Sequence, residues 1–417
     1  MKSAYAAIAV LCSLPTFGQS PPFFTTTNDP TGPNFLCCAA VNAIDPHTHS
    51  VTVFGGLGDG NFPNLVGASF AGIDGGPADT YVPGTASYAS ILGGYDNIDN
   101  TLAGIIITQH GRLYTAATHG MIAGGGYHWI SSGDSNSILG GVQHHISSSA
   151  GDNIIAGGAN NAISGNSSAS AIIGGSLESI TGAAYSAIIG GYRNQISTSG
   201  VSQTIIGGSS NGIMGAGTSG AIVGGYGNTV SSSYGAIVGG DQNQVSGYAG
   251  AIVGGDTSEV SASYGVAFGS GRVAYWPGGI HYGARNQSVA GDRNNIMVAQ
   301  SAQTTSAVAT GLSGYADANY PAIPVNTAAI ANVILIGRQQ HSNNIVAYSG
   351  IVVFHTGSGG VVTIDSQNWT RQVDSVGVAA APKISAATDQ FAIMVTGKQY
   401  TTIDWNADVR VATVSGS

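Results

Sequence analysis

Charge is nearly absent from this chain. Lys, Arg, Asp and Glu make up 7% of its 417 residues, against roughly 25% in an ordinary soluble protein. Glutamate occurs only at Glu178 and Glu259. So few helix formers exclude a helical bundle or a coiled coil. Eleven Lys and Arg against twenty Asp and Glu give a net charge of −9. No basic stripe exists to meet phosphates, so nucleic acid is not a partner. No Gly-x-y period exists, which excludes collagen. A 43% hydrophobic share excludes disorder. Cysteine is scarce too. Cys12, Cys37 and Cys38 are too few, and odd in number, for a disulfide scaffold. They read as free, partly buried thiols, compatible with a reducing compartment. Long apolar runs are missing: no stretch reaches 18 residues, so no membrane anchor is expected. Residues 1–20 carry Lys2, the run Ala4 to Leu14 and Gly18, in the manner of a short signal peptide. They read as a retained, buried N-terminal arm, with cleavage near Gly18 as the alternative.

What is abundant is glycine, 65 residues, and with it a repeat. From about residue 91 one phrase recurs: two apolar residues, Gly-Gly, two variable residues, often Asn, one more residue, then Ile or Val. It reads Ile188-Ile189-Gly190-Gly191-Tyr192-Arg193-Asn194-Gln195-Ile196. Other copies start their Gly pair at Gly93, Gly124, Gly140, Gly157, Gly174, Gly207, Gly224, Gly239 and Gly254, with weak copies near Thr108, Gly269 and Gly283. The starts fall 14 to 17 residues apart. A unit this short cannot bury a core alone, and stacking must supply it. The pattern predicts a parallel β-solenoid of about twelve turns, a rod roughly 55–60 Å long at about 4.8 Å per turn.

Neighbouring strand residues point to opposite faces. In Ile222-Val223, Ile237-Val238 and Ile252-Val253, one member fills the coil and the other forms an exposed apolar ladder. Such a ladder needs a cover, and an identical chain is the simplest one. A homotrimer is expected. Asn97, Asn161, Asn194, Asn211, Asn228 and Asn243 share one column, read as structural because Asn suits left-handed corners and stacked amides. His128, His144, Glu178 and Ser258 fall in that column and read as corner packing.

Residues 91–289, typified by Ala-Ile-Val-Gly-Gly-Tyr-Gly-Asn-Thr-Val at 221–230, resemble the left-handed parallel β-roll of trimeric autotransporter adhesin heads and of bacteriophage tail fibres and spikes. The resemblance covers about half the chain and is weak for function. The first copy departs from it, with Asp99 where an apolar residue is expected. Left-handed hexapeptide acyltransferases need 18-residue turns in three equal sides, and Ca²⁺-binding nonapeptide repeats need a regular Asp after Gly. Neither pattern is present.

Residues 1–90 read as an irregular, β-containing N-terminal attachment region, which in fibres contacts other virion proteins. Residues 290–324 read as a connector. Residues 325–417 hold separate strand-like runs, such as Val333 to Ile336 and Ile345 to Phe354, with turns at Gly337, Gly357 to Gly360, Gly377 and Gly397. They predict an antiparallel β-sandwich. The ending Trp405 to Val411 looks like the close of C-terminal domains in phage and prophage tail fibres.

Glycosidic cleavage needs two carboxylates about 5–10 Å apart. Glu178 and Glu259 stand five turns apart, about 24 Å along the rod. Asp241 and Asp256 occupy equivalent positions on adjacent turns and read as stacked charges on a solvated corner. No nucleophile motif stands out, and the chain is expected not to be an enzyme. His47-Thr48-His49 puts two imidazoles on one face of a strand, and three copies would offer an axial octahedral site for Fe or another transition metal. Two exposed histidines are the plain alternative. His144-His145 is a weaker pair, since neighbours face apart. Tyr185, Tyr234, Tyr248 and Tyr264 recur before the apolar pair, to fill the edge of the roll or to stack on sugars.

The resemblance implies a trimeric virion fibre or spike that binds a host-surface glycan or protein through its C-terminal domain. A capsid head fibre or decoration protein is the alternative in the virion. A secreted or cell-surface bacterial adhesin is a third, lacking here the coiled-coil stalk and membrane barrel usual in that class.

Overall fold

The computed structural model describes residues 88–283, 293–312, Ile323 and 325–415, apart from a few positions within them. Before residue 88 it describes short strands between Phe35 and Val82. Among the described residues every regular element is a β-strand. None forms a helix long and apolar enough to cross a membrane.

The chain winds into a β-solenoid of about twelve turns. Each turn contributes two short strands that pair in parallel, in register, with their equivalents one turn on. Ala221–Val223 pairs with Ala236–Val238, and that strand with Ala251–Val253. Thr229–Val230 pairs likewise with Gln244–Val245, and that strand with Glu259–Val260. Identical residues therefore stack: Ile222 on Ile237 on Ile252.

The coil is narrow. In the 221–230 turn its centre holds Ile222 from the first strand and Val230 from the second, both fully buried. Burying one such side chain contributes roughly 2 kcal/mol, and only the next turn completes the burial. The Gly pair makes the first corner with both residues at positive φ, +70° at Gly224 and +83° at Gly225. A Cβ on Gly225 would fall on the Gly240 carbonyl oxygen and on Asn228 Nδ2.

The second corner is the buried Asn column, and it is a hydrogen-bonded ladder. Asn211 Oδ1 accepts the backbone N–H of Asn228 at 3.0 Å, and Asn228 Oδ1 accepts that of Asn243 at 3.0 Å. Each Nδ2 donates outward to the glycine corner of the following turn, Asn228 to Gly240 O at 3.1 Å. A second polar ladder, on no column of identical residues, runs up another corner. There Asn136, Asn153, Ser170, Ser186 and Gln203 each accept the backbone N–H one turn on. From Gly220 onward glycine holds this position, and the Ile222–Ile237–Ile252 spacing falls to 15 residues.

Asp99, out of pattern in sequence, is buried in the coil. Its Oδ1 accepts from Thr101 Oγ1 at 2.7 Å and Thr101 N–H at 3.2 Å. Burial lifts its carboxyl to about 6, against these hydrogen bonds.

The parallel pairing begins before residue 91, where the repeat becomes visible. Phe35–Cys37 pairs with Thr52–Phe54, that with Gly72–Asp74, and that with Ser90–Leu92. At the other end Ile280–Tyr282 pairs antiparallel with Arg293–Thr304. The sheet continues through Ile403–Ser415, Thr327–Gln339, Ile345–Thr356 and Val362–Asp374, all antiparallel. A smaller sheet joins Ala309–Gly311, Gln390–Thr396 and Lys383–Ala387. Ile296, Leu312, Leu335, Phe354, Ile393 and Trp405 belong to one buried cluster across both sheets. Residues 293–312, which read as a connector in sequence, are thus part of the C-terminal fold. Arg293–Thr304 finds its partner Ile403–Ser415 about a hundred residues downstream, a pairing that no local pattern announces.

Candidate functional site

In most turns the first strand exposes its third residue. Val223 is 43% exposed, Val238 50% and Val253 45%, and they form one in-register column. Below them Ile173, Ile189 and Ile206 continue it. The apolar pair therefore does face both ways, and the outer member is a continuous stripe.

The carboxylates named from sequence separate cleanly. Glu178 lies buried in the Asn column. Its Oε2 accepts the Asn194 N–H at 2.8 Å, and its own N–H donates to Asn161 Oδ1 at 3.0 Å. Burial pushes its carboxyl up to about 7. Glu259 sits on the second strand beside Gln244, away from that interior column. Asp241 and Asp256 are neighbours on adjacent turns at the solvated corner.

His144 stacks on His128 inside the coil, 5.1 Å between ring centres and 7° apart. Their Nδ1 atoms accept the N–H groups of Asn161 and His144, both at 3.2 Å. Burial, then the neighbouring His128, depress His144 to about 4. His145 points the other way, toward Trp129 and Ser131. Tyr234, Tyr248 and Tyr264 pack edge to face at 5.4 and 5.5 Å along the outer surface, and Tyr185 is largely exposed. His47 and His49 lie outside the described residues.

Sequence reasoning missed a cluster spread over three turns. Asp96 Oδ2 lies 2.7 Å from His110 Nδ1 and 3.3 Å from Arg112 Nη2. The His110 ring stacks on Tyr127 at 4.3 Å. Arg112, Trp129 and His145 are matched positions of successive turns.

In the C-terminal fold, Arg338, Gln339, Gln340, His341 and Asp404 line a cavity of about 320 Å³. Gln303 Nε2 donates to Asp404 at 2.8 Å and Gln340 Nε2 at 3.1 Å, and these bonds hold its carboxyl below the usual range. His341 stands in the turn between Thr327–Gln339 and Ile345–Thr356, within the C-terminal part expected to bind the host surface. Near the Thr356 to Gly360 turn, His355 pairs with Asp365 at 2.9 Å.

Neither a protein-family profile nor a curated relative matches the sequence. Solved structures that align with it include phage tailspikes. The tailspike of Acinetobacter baumannii bacteriophage Fri1, described as a capsular polysaccharide depolymerase, is 8% identical over 87% of this chain and 80% of that one, with a TM-score of 0.19. The tailspike of Acinetobacter phage vB_ApiP_P1 is 9% identical over 90% and 81%, with a TM-score of 0.24. That of Acinetobacter baumannii phage AM24 is 8% identical over 92% and 77%, with a TM-score of 0.18. The expectation of a non-enzyme is corrected here, because the Fri1 protein is described as an enzyme. At these scores no catalytic residue is carried from those chains to this one.

Proposed function

We propose that this chain is a homotrimeric bacteriophage tail spike that attaches the virion to a host-surface polysaccharide. The observation that carries the reading is the exposed apolar stripe along a rigid solenoid that runs directly into an antiparallel C-terminal fold. The stripe supports assembly of three chains side by side. The polar cavity around Asp404 and His341 supports recognition within residues 325–417. Binding loops held on a rigid β-scaffold suit this role, and three weak sites on one particle add avidity. Residues 1–90 are the end assigned to other virion proteins. His47 and His49 are proposed as an axial metal pair, on their spacing alone. Metal analysis of protein purified without chelator should give one ion per three chains, and metal-free protein removes that assignment.

The test of recognition is competition for phage adsorption by the purified full-length protein and by its Asp404→Asn and His341→Ala variants. The wild type should block adsorption, and the variants should block it poorly. Equal blocking by all three would move recognition out of this cavity. Size exclusion of the polysaccharide after incubation reads depolymerisation in the same samples.

A further inference from the structure

We propose that the face bearing Asp96, His110, Arg112, Tyr127, Trp129 and His145 is a second glycan-binding site, on the side of the solenoid. The ligand class, a polysaccharide segment, rests on the attachment reading above, whereas the site is independent of the C-terminal cavity.

The solenoid does not need these side chains. Arg112, Trp129 and His145 stack in one column, and the same column continues as Ala162 and Ser179. Small residues hold that strand equally well. Five of the ten histidines of the chain fall between residues 110 and 145, and Trp129 is the first of its four tryptophans. In a chain with 7% charge, this concentration of rings, base and acid exceeds what stacking requires.

The chemistry suits a pyranose, which presents apolar C–H faces and hydroxyl edges together. Tyr127 is 49% exposed, and Trp129 is half-buried on the neighbouring column. Aromatic rings take the C–H face. Asp96 accepts hydrogen bonds, and the planar Arg112 fork donates them in fixed geometry. Both are already held, Asp96 by His110 and by Arg112, so little side-chain freedom is lost on binding. Burial lowers the pKa of His145 and so favours the neutral ring, which donates from one nitrogen and accepts at the other.

Two features keep the site open and aimed. The stripe column runs here through Ile107, Ala123 and Leu139, and Arg112, Trp129 and His145 stand five or six residues further on, past the corner, so the proposed chain-to-chain contact and this face lie on different sides of the turn. The pairing of Ile105–Thr118 with Met121–Asp134 shifts register between Ala123 and Gly126 and between Ile130 and Ser132. Such irregularities flank Tyr127 and Trp129, and they re-aim side chains.

The test uses full-length protein on an array of bacterial capsular and O-antigen oligosaccharides, with the bound ones titrated calorimetrically. Arg112→Ala and Tyr127→Ala should each weaken binding about tenfold, the loss of one good charged hydrogen bond or ring contact. Trp129→Phe, which keeps a ring and the fold, should weaken it less. Gln244→Ala, far along the same column, should change it by less than about twofold. If Arg112→Ala and Tyr127→Ala bind like wild type while Asp404→Asn loses binding, the side site is wrong and the attachment reading stands. If wild type binds no oligosaccharide, both are wrong.

Discussion

At position 178 a carboxyl occupies a place built for an amide. Asn194 and Asn211 use Oδ1 to accept an N–H from the next turn and Nδ2 to donate to its glycine corner. Glu178 repeats the acceptance, but when ionised it has nothing to donate. The neutral acid fits better, in keeping with its rise from 4.5 to about 7. Its folded pKa lies above the unfolded one, so its contribution is full below about 4.5 and is lost as pH rises through about 7. One pKa unit is about 1.4 kcal/mol, so the effect across that window is roughly 3 kcal/mol. Glu178→Gln should raise the melting temperature at pH 8, leave it nearly unchanged at pH 4.5, and remove this part of the pH dependence. An unchanged melting temperature at pH 8 refutes a neutral Glu178. His144 acts in the opposite sense. Its pKa is lowered to about 4, so its stability is present above about 6.5 and is lost as pH falls toward about 4. His144→Asn restores the ladder residue and should flatten the acid limb of a melting profile between pH 6.5 and 4. An unaltered acid limb would assign that loss to other groups.

A turn is held by its corners as much as by its strands. Gly225 sits at positive φ against the Gly240 carbonyl and the Asn228 amide. Gly225→Ala therefore strains the backbone and pushes apart two turns, while Gly224→Ala meets no atom within 4 Å and carries only its own φ. The first should cost several kcal/mol and the second about 1 kcal/mol, read as denaturant midpoints; equal losses would show that contact at the corner is unimportant. The repeat was legible because this corner demands the same two letters each time, and the Asn column because one amide does both jobs. The second ladder was not, since Asn136, Ser170 and Gln203 satisfy the same N–H with different side chains. The Asp96, His110 and Arg112 cluster was hidden for a related reason. Its members lie 14 and 16 residues apart and meet only through the exact length of their turns. Arg293–Thr304 could not be read from its neighbours, because its alternation is short and includes the buried Gln300.

Along the whole molecule, the stripe containing Val223, Val238 and Val253 repeats at the spacing of the turns themselves. A partner that matches it side chain for side chain must share that spacing, and another copy of the chain does so by construction. The parity is fixed by the strands: Ile237 points in and Val238 points out. That separates two variants that sequence alone leaves equivalent. Ile237→Asp buries a carboxylate inside each coil and should unfold the roll whatever its assembly. Val238→Asp sits on the surface of a single chain, where such a change costs at most about 0.5 kcal/mol. In a trimer three carboxylates would meet in the contact between chains, at a cost of several kcal/mol. Light scattering should then give the mass of three chains for wild type and of one chain for Val238→Asp, with circular dichroism still that of a folded roll. A Val238→Asp protein that keeps the mass and melting temperature of wild type would show that this stripe is not where the chains meet.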